Sequence, residues 1–473
     1  MPYISTRDGS APPERLPFEA ALLHGLAHDG GLYVPEHWPH LSGGGLAALA
    51  GNTYAEIAAA VTEPFLEGAV APAEWRRMVE QAYRPFTHRA VAPLKQLGPS
   101  LWLMELFHGP TLAFKDYALQ LLGPLLDAVL KRRGERVTVV AATSGDTGSA
   151  AIEACRDRPS IDVFVLFPKG RISEVQRRQM TTVPAENVHA VAIEGNFDDC
   201  QDLVKAMFAD APFRAALNLS AVNSINWARI VAQAVYYVAA AAALGASERG
   251  IGFAVPTGNF GNVYAAHVAR RMGVPIKELV IGTNRNDILA RFFNSGLMSI
   301  GPVEPSLSPA MDIQVSSNFE RLYFELSGRD GAAVANAFRA FRESGTLPSN
   351  PALWQEARTL FSAHRVSDDD TRATIAATYR GTGELIDPHT AVAVASAMAA
   401  RRDPALPMVA LACAHPAKFP DAVESAVGFR PTPPPALAEA LRRPERSNVL
   451  PNELAAVERF VADRARAKQE AMR

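Results

Sequence analysis

Short apolar runs alternate with amphipathic segments through the middle of the chain. Between the runs, apolar residues recur at helical spacing, as in 117–130, where Gly123-Pro124 is expected to disturb the helix. Strands that alternate with helices predict an α/β fold built on parallel sheets. The runs that are predicted to be strands are SLWLMELF (100–107), RVTVVAAT (136–143), VFVLFP (163–168), HAVAIEG (189–195), GFAVP (252–256) and ELVIGTN (278–284).

The same pattern divides the chain into three regions. Residues 1–95 are predicted to be mainly helical, and residues 96–430 to hold the α/β core, which a late strand at 407–414 completes. Within the core we expect a smaller α/β subdomain at about 130–222, inserted in the larger one. A proline-rich stretch marks the next boundary, and 431–473 is predicted to be a helical tail.

Composition and charge narrow the class of protein. The chain has 473 residues, of which 48% are hydrophobic and 20% charged, and its formal net charge is −2. Such a balance gives no general attraction to nucleic acid or to anionic membranes. Cys155, Cys200 and Cys413 form no CxxC pair, so neither a disulfide framework nor a metal site is expected.

The sequence also bears on location and assembly. The N-terminus lacks the apolar core of a signal peptide, and the apolar run at 230–246 is too short to span a membrane comfortably. We therefore predict a cytoplasmic protein with a small-molecule substrate, no nucleic-acid partner and no membrane partner. The expected assembly is a monomer or a homodimer.

Two turns rich in small residues lie between a predicted strand and a predicted helix, where free N–H groups and the helix dipole favour an anion. The first, VPTGNFGN (255–262), suits a phosphate, although a simple tight turn is the alternative interpretation. The second, ATSGDTGSA (142–150), suits a carboxylate or a phosphate, and helix capping is its alternative. The residues concerned are Gly258, Asn259, Phe260, Gly261 and Asn262 in the first turn, and Ser144, Gly145, Asp146 and Thr147 in the second.

Amide, hydroxyl and basic side chains that could bind an anion occur in two further segments. In the first they open a long helix, where capping is the alternative for the polar residues. In the second they follow a strand, where a solvated basic turn is the alternative. The candidates are Asn223, Ser224, Asn226 and Arg229 in VNSINWARI (222–230), and Lys169 and Arg171 in FPKGRISEVQ (167–176).

The segment ELIDPHTAV (384–392) has the signature of a helix start. Asp387 is predicted as the N-cap residue and Pro388 as the first helical residue. For His389, which then lies in the first turn, we expect a structural hydrogen bond.

Lys115 follows a Gly-Pro-Thr turn in FHGPTLAFKD (107–116) and begins a predicted helix. Most lysines are solvated surface charges, and its own sequence neighbours would predict the same for Lys115. Ligands of parallel α/β folds, however, gather at the carboxyl ends of strands. A partly desolvated lysine there, together with phosphate-binding turns, suits an enzyme that uses pyridoxal 5'-phosphate (PLP).

Seven motifs in this order resemble the threonine synthase family of bacteria and fungi, over about residues 3 to 428. The resemblance implies the tryptophan-synthase-β-like, fold-type-II group of PLP enzymes. That fold has two three-layer α/β domains with parallel sheets, a mainly helical N-terminal domain and helical insertions. The motifs are HGPTLAFKD, ATSGDTG, NSINWARI, PTGNFGN, MDIQVSSNFER, DPHTAV and AHPAKFP.

The resemblance also implies an activity. The family converts O-phospho-L-homoserine and water to L-threonine and phosphate, by γ-elimination and β-addition of water, in the last step of threonine biosynthesis. Carried over, Lys115 would form the Schiff base with PLP, and residues 258–262 would hold the cofactor phosphate. Ser144, Gly145, Asp146 and Thr147 would face the substrate carboxylate and the O3′ edge of the cofactor. The substrate phosphate would meet some of Asn223, Ser224, Asn226, Arg229, Lys169 and Arg171.

Cys413 departs from the family pattern. A hydroxyl residue usually stands at this position, where it meets the pyridine nitrogen of the cofactor. A thiol is a weak hydrogen-bond partner, so the ring nitrogen is expected to stay largely unprotonated. The alternative is a buried cysteine that packs as a small apolar residue.

Two other kinds of function remain open from the sequence. One is a different fold-type-II PLP enzyme, such as a serine or threonine dehydratase or a β-replacement enzyme. The other is a protein that binds a nucleotide or a phosphorylated metabolite without chemistry, including an inactive threonine-synthase-like protein.

Overall fold

A computed structural model of the chain describes residues 1–41, 44–143, 145–221 and 223–467. These residues form two compact units. Unit 1 contains Met1–Phe114 and Ser224–Thr432, and unit 2 contains Lys115–Asn223 and the chain from Pro433 onward. Within the described ranges, every helix is too short or too polar to cross a lipid bilayer.

The strands are short, and most are buried. They are β1 Tyr3–Ser5, β2 Tyr33–Pro35, β3 Leu94–Gly98, β4 Leu101–Glu105, β5 Val137–Ala142, β6 Ile161–Pro168, β7 Val188–Glu194, β8 Leu219–Ser220, β9 Ile251–Pro256, β10 Ile276–Thr283, β11 Phe361–Arg365, β12 Met408–Ala412 and β13 Asn448–Pro451.

The α-helices are numbered in chain order, and 3-10 turns lie at Gly45–Leu49, Glu63–Leu66, Pro309–Met311 and Pro416–Lys418. The helices are α1 Phe18–His24, α2 Tyr54–Thr62, α3 Pro72–Tyr83, α4 Lys115–Arg133, α5 Asp146–Cys155, α6 Glu174–Thr181, α7 Phe197–Ala209, α8 Ala211–Ala216, α9 Trp227–Ala243, α10 Ala246–Arg249, α11 Gly261–Arg271, α12 Ile288–Ser295, α13 Phe319–Leu326, α14 Gly331–Ser344, α15 Pro351–Leu360, α16 Asp368–Thr382, α17 Pro388–Ala400, α18 Pro420–Val427, α19 Pro435–Ala440 and α20 Leu454–Arg464.

Unit 1 is built on a sheet with the strand order β11-β10-β9-β12-β4-β3. All neighbouring pairs are parallel except β3 with β4, which is antiparallel. Ala254, Val280 and Ala410 of the central strands share a buried cluster with Val394 and Ala397 of α17. The late strand therefore returns to the middle of the sheet, as its apolar sequence predicts.

Unit 2 has a second parallel sheet in the order β13-β7-β6-β5-β8. Val140, Phe164 and Val191 on three of its strands belong to one buried cluster, which also contains Leu203 of α7 and Phe460 of α20. The residues after the proline-rich stretch thus complete the core of this unit. They are more than a helical tail, because β13 pairs in parallel with β7.

The main departures from the predicted elements are edge strands and one helix. The edge strands β3, β8, β11 and β13 were not predicted, since each is short and only its neighbour in space supplies the pairing. Gly123-Pro124 does not end the helix, because α4 continues through Pro124; the predicted disturbance is limited to the backbone hydrogen bond that proline cannot donate. At Gly123 a Cβ atom would lie 2.1 Å from the carbonyl oxygen of Ala154, so the lack of a side chain allows α4 to approach α5 closely.

Candidate active site

The turn after β9 is held from one side by a loop that we call the covering loop, residues 306–318. Ser316 Oγ donates to the carbonyl oxygen of Gly258 at 2.7 Å. The backbone N–H and the side-chain Nδ2 of Asn318 both donate to the carbonyl oxygen of Asn259 at 3.1 Å. The carbonyl groups of the turn are therefore engaged by the covering loop.

The N–H groups of the same turn are available to a ligand, as far as the described residues show. Among the hydrogen bonds of the described residues, none has an amide N–H of residues 258–262 as its donor. Phe260 has a φ of 63° and stands at the N-terminus of α11, where the helix dipole is positive. A phosphate fits such a row of unpaired amides, so the turn is chemically suited to the phosphate of PLP.

Close packing favours glycine at both positions of this turn. A Cβ atom on Gly258 would lie 3.2 Å from Met311 Cα, and one on Gly261 would lie 3.2 Å from Asn318 Nδ2.

Asn262, the residue after Gly261, accepts hydrogen bonds at Oδ1 from Tyr237, at 2.7 Å, and from Tyr236. Its Nδ2 is buried and has no partner within the part of the chain that the structure describes, so one buried donor remains for a ligand.

Arg229 is a buried cation in the first turn of α9. Only 4% of its surface is exposed, and its Nε and Nη1 atoms have no hydrogen-bond partner among the described residues. Burial lowers the pKa of the guanidinium to about 10, so the group is still charged at neutral pH. A buried, unpaired cation is costly, and an anionic ligand would satisfy it.

The start of α9 lies beside the glycine turn. The position of a Cβ on Gly261 is 3.4 Å from Ile230 Cδ1 and 3.6 Å from the carbonyl oxygen of Ser224. That carbonyl accepts a hydrogen bond from Asn318 Nδ2 at 3.1 Å. The polar side chain of Ser224 is half-buried in this region.

Asn226 has a structural role that the sequence left open. Its Oδ1 accepts from the Ala228 N–H at 3.0 Å, which caps α9, and its Nδ2 donates to the carbonyl oxygen of Leu22 at 2.8 Å. Both ends of the amide thus serve the protein's own backbone. The capping alternative is thus realised for Asn226, and its contact with the substrate phosphate stays a prediction.

Replacing Asn226 by alanine should destabilise the protein without disabling it. Loss of an N-cap costs about 1 kcal/mol, which corresponds to a fall of about 1–3 °C in the thermal unfolding midpoint. Thermal unfolding together with the KM for substrate would measure this, and Asn226→Asp, which keeps the capping oxygen, is the control. A variant of normal stability with a greatly raised KM would show that Asn226 contacts the ligand.

Cys413 follows β12 and is 5% exposed. Its N–H donates to Thr390 Oγ1 at 3.2 Å, and its carbonyl oxygen accepts from the N–H of Phe114 at 2.8 Å. Two residues further on, the N–H of His415 donates to the carbonyl oxygen of Leu112 at 3.0 Å. Leu112 and Phe114 of the FHGPTLAFKD motif are thereby anchored to the chain at the end of β12.

In unit 2 the turn after β5 is organised by Thr143. Its Oγ1 accepts from the N–H groups of Gly145 and Gly148, both at 3.0 Å. Gly145 has a φ of 152°, and a Cβ there would lie 2.3 Å from Gln176 Cδ, so only glycine fits. Asp146, the first residue of α5, accepts from Gln176 Nε2 at 3.3 Å. Ser144, also predicted in this turn, lies outside the described residues.

The other candidates in unit 2 lie in varied surroundings. Lys169 is exposed and pairs with Glu194 at 3.1 Å, and Arg171 is exposed, so both fit the solvated basic turn as well as an anion site. Thr147 and Asn223 are half-buried. Lys115 is the first residue of α4 and is half-buried too.

Comparison with known proteins identifies the family. Models for the threonine synthase N terminus, a pyridoxal-phosphate dependent enzyme and the threonine synthase C-terminal part match residues 2–83, 85–343 and 390–461, respectively. A curated threonine synthase from Pseudomonas aeruginosa is 56% identical over 463 residues, which cover 98% of each chain. The chain belongs to the threonine synthase family.

Solved structures of threonine synthases agree with this. A PLP-bound threonine synthase from Brucella melitensis is 51% identical, with a TM-score of 0.96 over 98% of this chain and 100% of that chain. The yeast threonine synthase is 37% identical, with a TM-score of 0.92 over 98% of both chains. The predicted family, the fold-type-II α/β class, the lyase activity and the dependence on PLP are confirmed.

The sequence reading missed several residues that shape the threonine synthase site. Thr143 orders the second turn through its Oγ1 atom, a role that its place in the motif ATSGDTG does not indicate. Ser316 and Asn318 belong to MDIQVSSNFER, a family motif that suggested function without saying which. Only their contacts with the glycine turn show what they do.

Proposed function

We propose that this threonine synthase converts O-phospho-L-homoserine and water to L-threonine and phosphate. One observation supports the proposal above others. Two groups that suit anions have no partner among the described residues, in adjoining segments of unit 1: the amides of residues 258–262, and the buried Nε and Nη1 atoms of Arg229. A cofactor and a substrate that each carry a phosphate would fill one site each.

The chain's own groups fit PLP at the glycine turn. The amides of residues 258–262 and Asn262 Nδ2 would hold its phosphate, and Lys115 would be its covalent anchor. When bound, PLP delocalises the negative charge that develops on the substrate carbons next to the amino group. The rest of the reaction depends on groups that orient the substrate and move protons.

Arg229 would fix the phosphate of the substrate. Two of its nitrogen atoms are buried and unpaired among the described residues, so charge-assisted hydrogen bonds to phosphate oxygens would satisfy them. Ser224 and Asn223 lie on the approach to the same helix and are proposed as further contacts. Because a guanidinium without a counter-ion strongly prefers a dianionic ligand, this site would favour phosphohomoserine over serine or threonine.

Lys115 would carry protons during the reaction. Its amine, once free of the cofactor, is a base that can remove the proton from the α-carbon and return it elsewhere. The turn at residues 145–148 offers amides at the N-terminus of α5 for the substrate carboxylate. Asp146, which Gln176 holds at 3.3 Å, would face the O3′ edge of the cofactor.

A direct assay tests the function. Purified protein with PLP should release phosphate and form threonine in equal amounts from phosphohomoserine, and should release little ammonia from threonine. Ammonia from serine or threonine, without phosphate release, would instead indicate a dehydratase. A protein that PLP does not turn yellow would indicate a binding protein without chemistry.

We further propose a cytoplasmic location and a monomer or homodimer. Cys155, Cys200 and Cys413 are buried and form no disulfide among the described residues, which supports a reducing compartment. Fractionation of cells and light scattering of the purified protein would test these two points.

A further inference from the structure

The carboxylate of Asp387 does more than begin a helix. We infer that Asp387 is a positioning residue that aligns two parts of the proposed site, the glycine turn and the chain segment that leads into Lys115. It would act through two separate side chains, His389 and Thr390. The inference rests on the proposed function of the turn and of Lys115.

The carboxylate is buried completely at the start of α17 and accepts four hydrogen bonds. Its Oδ2 accepts from the His389 N–H at 3.0 Å and from His389 Nδ1 at 2.7 Å. Its Oδ1 accepts from the Thr390 N–H at 3.0 Å and from Thr390 Oγ1. Two of these bonds cap the helix, and the other two bind side chains.

His389 links Asp387 to the covering loop through hydrogen bonds on both ring nitrogens. Its Nε2 lies 3.3 Å from the backbone N–H of Ala310, which can only donate, so Nε2 carries no proton. The ring proton must then be on Nδ1, where it is donated to Asp387. Ala310 and Met311 pack against Gly258, since a Cβ there would lie 3.3 Å from Ala310 O and 3.2 Å from Met311 Cα.

Thr390 connects the carboxylate of Asp387 to the segment before Lys115. Its hydroxyl donates to Asp387, so the oxygen is free to accept from the Cys413 N–H at 3.2 Å. The carbonyl oxygen of Cys413 in turn accepts from the N–H of Phe114 at 2.8 Å, and Phe114 directly precedes Lys115 in the chain. By accepting the protons of His389 Nδ1 and Thr390 Oγ1, Asp387 leaves His389 Nε2 and the Thr390 oxygen as acceptors for Ala310 and Cys413.

Asparagine at position 387 separates capping from positioning. Asn is as good an N-cap as Asp, so the helix start should survive. Its amide has a single oxygen and an NH₂ group, however, which cannot accept protons from both His389 Nδ1 and Thr390 Oγ1. Asp387→Asn should thus change both connections while keeping the cap.

The holoenzyme and three variants test this inference, with two spectroscopic signals that report different ends of the cofactor. The ³¹P NMR shift of bound PLP reports the phosphate at the glycine turn, and its visible absorption reports the ring and its bond to lysine. We expect His389→Phe to move the ³¹P signal only, and Thr390→Val to move the absorption only. Asp387→Asn should move both and weaken PLP binding about tenfold, as expected for a buried donor left unsatisfied.

The matched control is Ser396→Ala on the same helix. Ser396 is fully buried, and its hydroxyl has no partner in the described ranges, so the substitution perturbs α17 without touching the network. Both cofactor signals should stay as in the wild type. Thermal unfolding of every variant distinguishes loss of stability from loss of alignment.

The inference is overturned if Asp387→Asn keeps both signals and the wild-type affinity for PLP, since Asp387 is then only a cap. It is also overturned if all three network variants shift both signals in proportion to their loss of stability. Should Asp387→Asn not fold, the separate shifts of the other two variants decide. A wild-type protein that binds no PLP would instead refute the proposed function.

Discussion

Replacing Lys115 by alanine should abolish threonine formation and the visible absorption of lysine-bound PLP. The side chain is half-buried at the start of α4, and the proposal makes it both covalent anchor and proton carrier. Loss of such a group lowers kcat by about a thousandfold or more. Absorption spectra before and after borohydride reduction, together with phosphate release from phosphohomoserine, would measure both effects.

Lys131→Ala is the matched control for this experiment. Lys131 lies on the same helix, is half-exposed and pairs with Asp127 at 2.7 Å, so its removal should leave spectrum and turnover unchanged. A Lys115→Ala protein that still carries a reducible chromophore would show that another amine anchors the cofactor.

Replacing Arg229 by methionine should abolish substrate recognition without lowering the stability of the protein. The substitution keeps most of the buried volume but removes a charge whose Nε and Nη1 atoms are unpaired among the described residues. The thermal midpoint of the substrate-free protein should therefore stay constant or rise. Two lost charge-assisted bonds to phosphate correspond to a decrease of about a hundredfold or more in kcat/KM for phosphohomoserine.

Gln233→Met provides a contrast one turn further along α9. Gln233 is 4% exposed, and its amide donates to the carbonyl oxygen of Arg229 at 3.0 Å. Loss of this amide should lower stability more than substrate affinity. Arg229→Met should instead lower substrate affinity and leave stability unharmed. If Arg229→Met melts earlier and keeps its kcat/KM, Arg229 is a structural residue and not the phosphate site.

Local sequence chemistry predicted much of the fold. The buried central strands were recognisable because both their faces are apolar, and the starts of α5, α9 and α11 because small and polar residues follow a strand or precede an apolar helix. The predicted roles of Asp387 as N-cap, of Pro388 as first helical residue and of His389 in a structural hydrogen bond are confirmed.

The edge strands could not be predicted from local sequence. β11, with the sequence FSAHR, has no strong alternation and forms a strand only because β10 lies beside it. β13 is similar, since its residues are largely exposed and its pairing with β7 joins segments more than 250 positions apart. The sequence could not indicate such partners, because strand pairing depends on which chain segments packing brings together.

The sequence by itself determined the alternation of strands and helices, the turns that follow β5 and β9, and the motifs of the family. These features depend on backbone preferences and on residues a few positions apart, which a sequence states directly. Only the tertiary structure decided that Ser316 and Asn318 hold the carbonyl groups of the glycine turn, and that Asn226 serves as a cap. The same holds for the unpaired guanidinium of Arg229 and the two connections of Asp387, because hydrogen-bond partners and burial are set by segments distant in the chain.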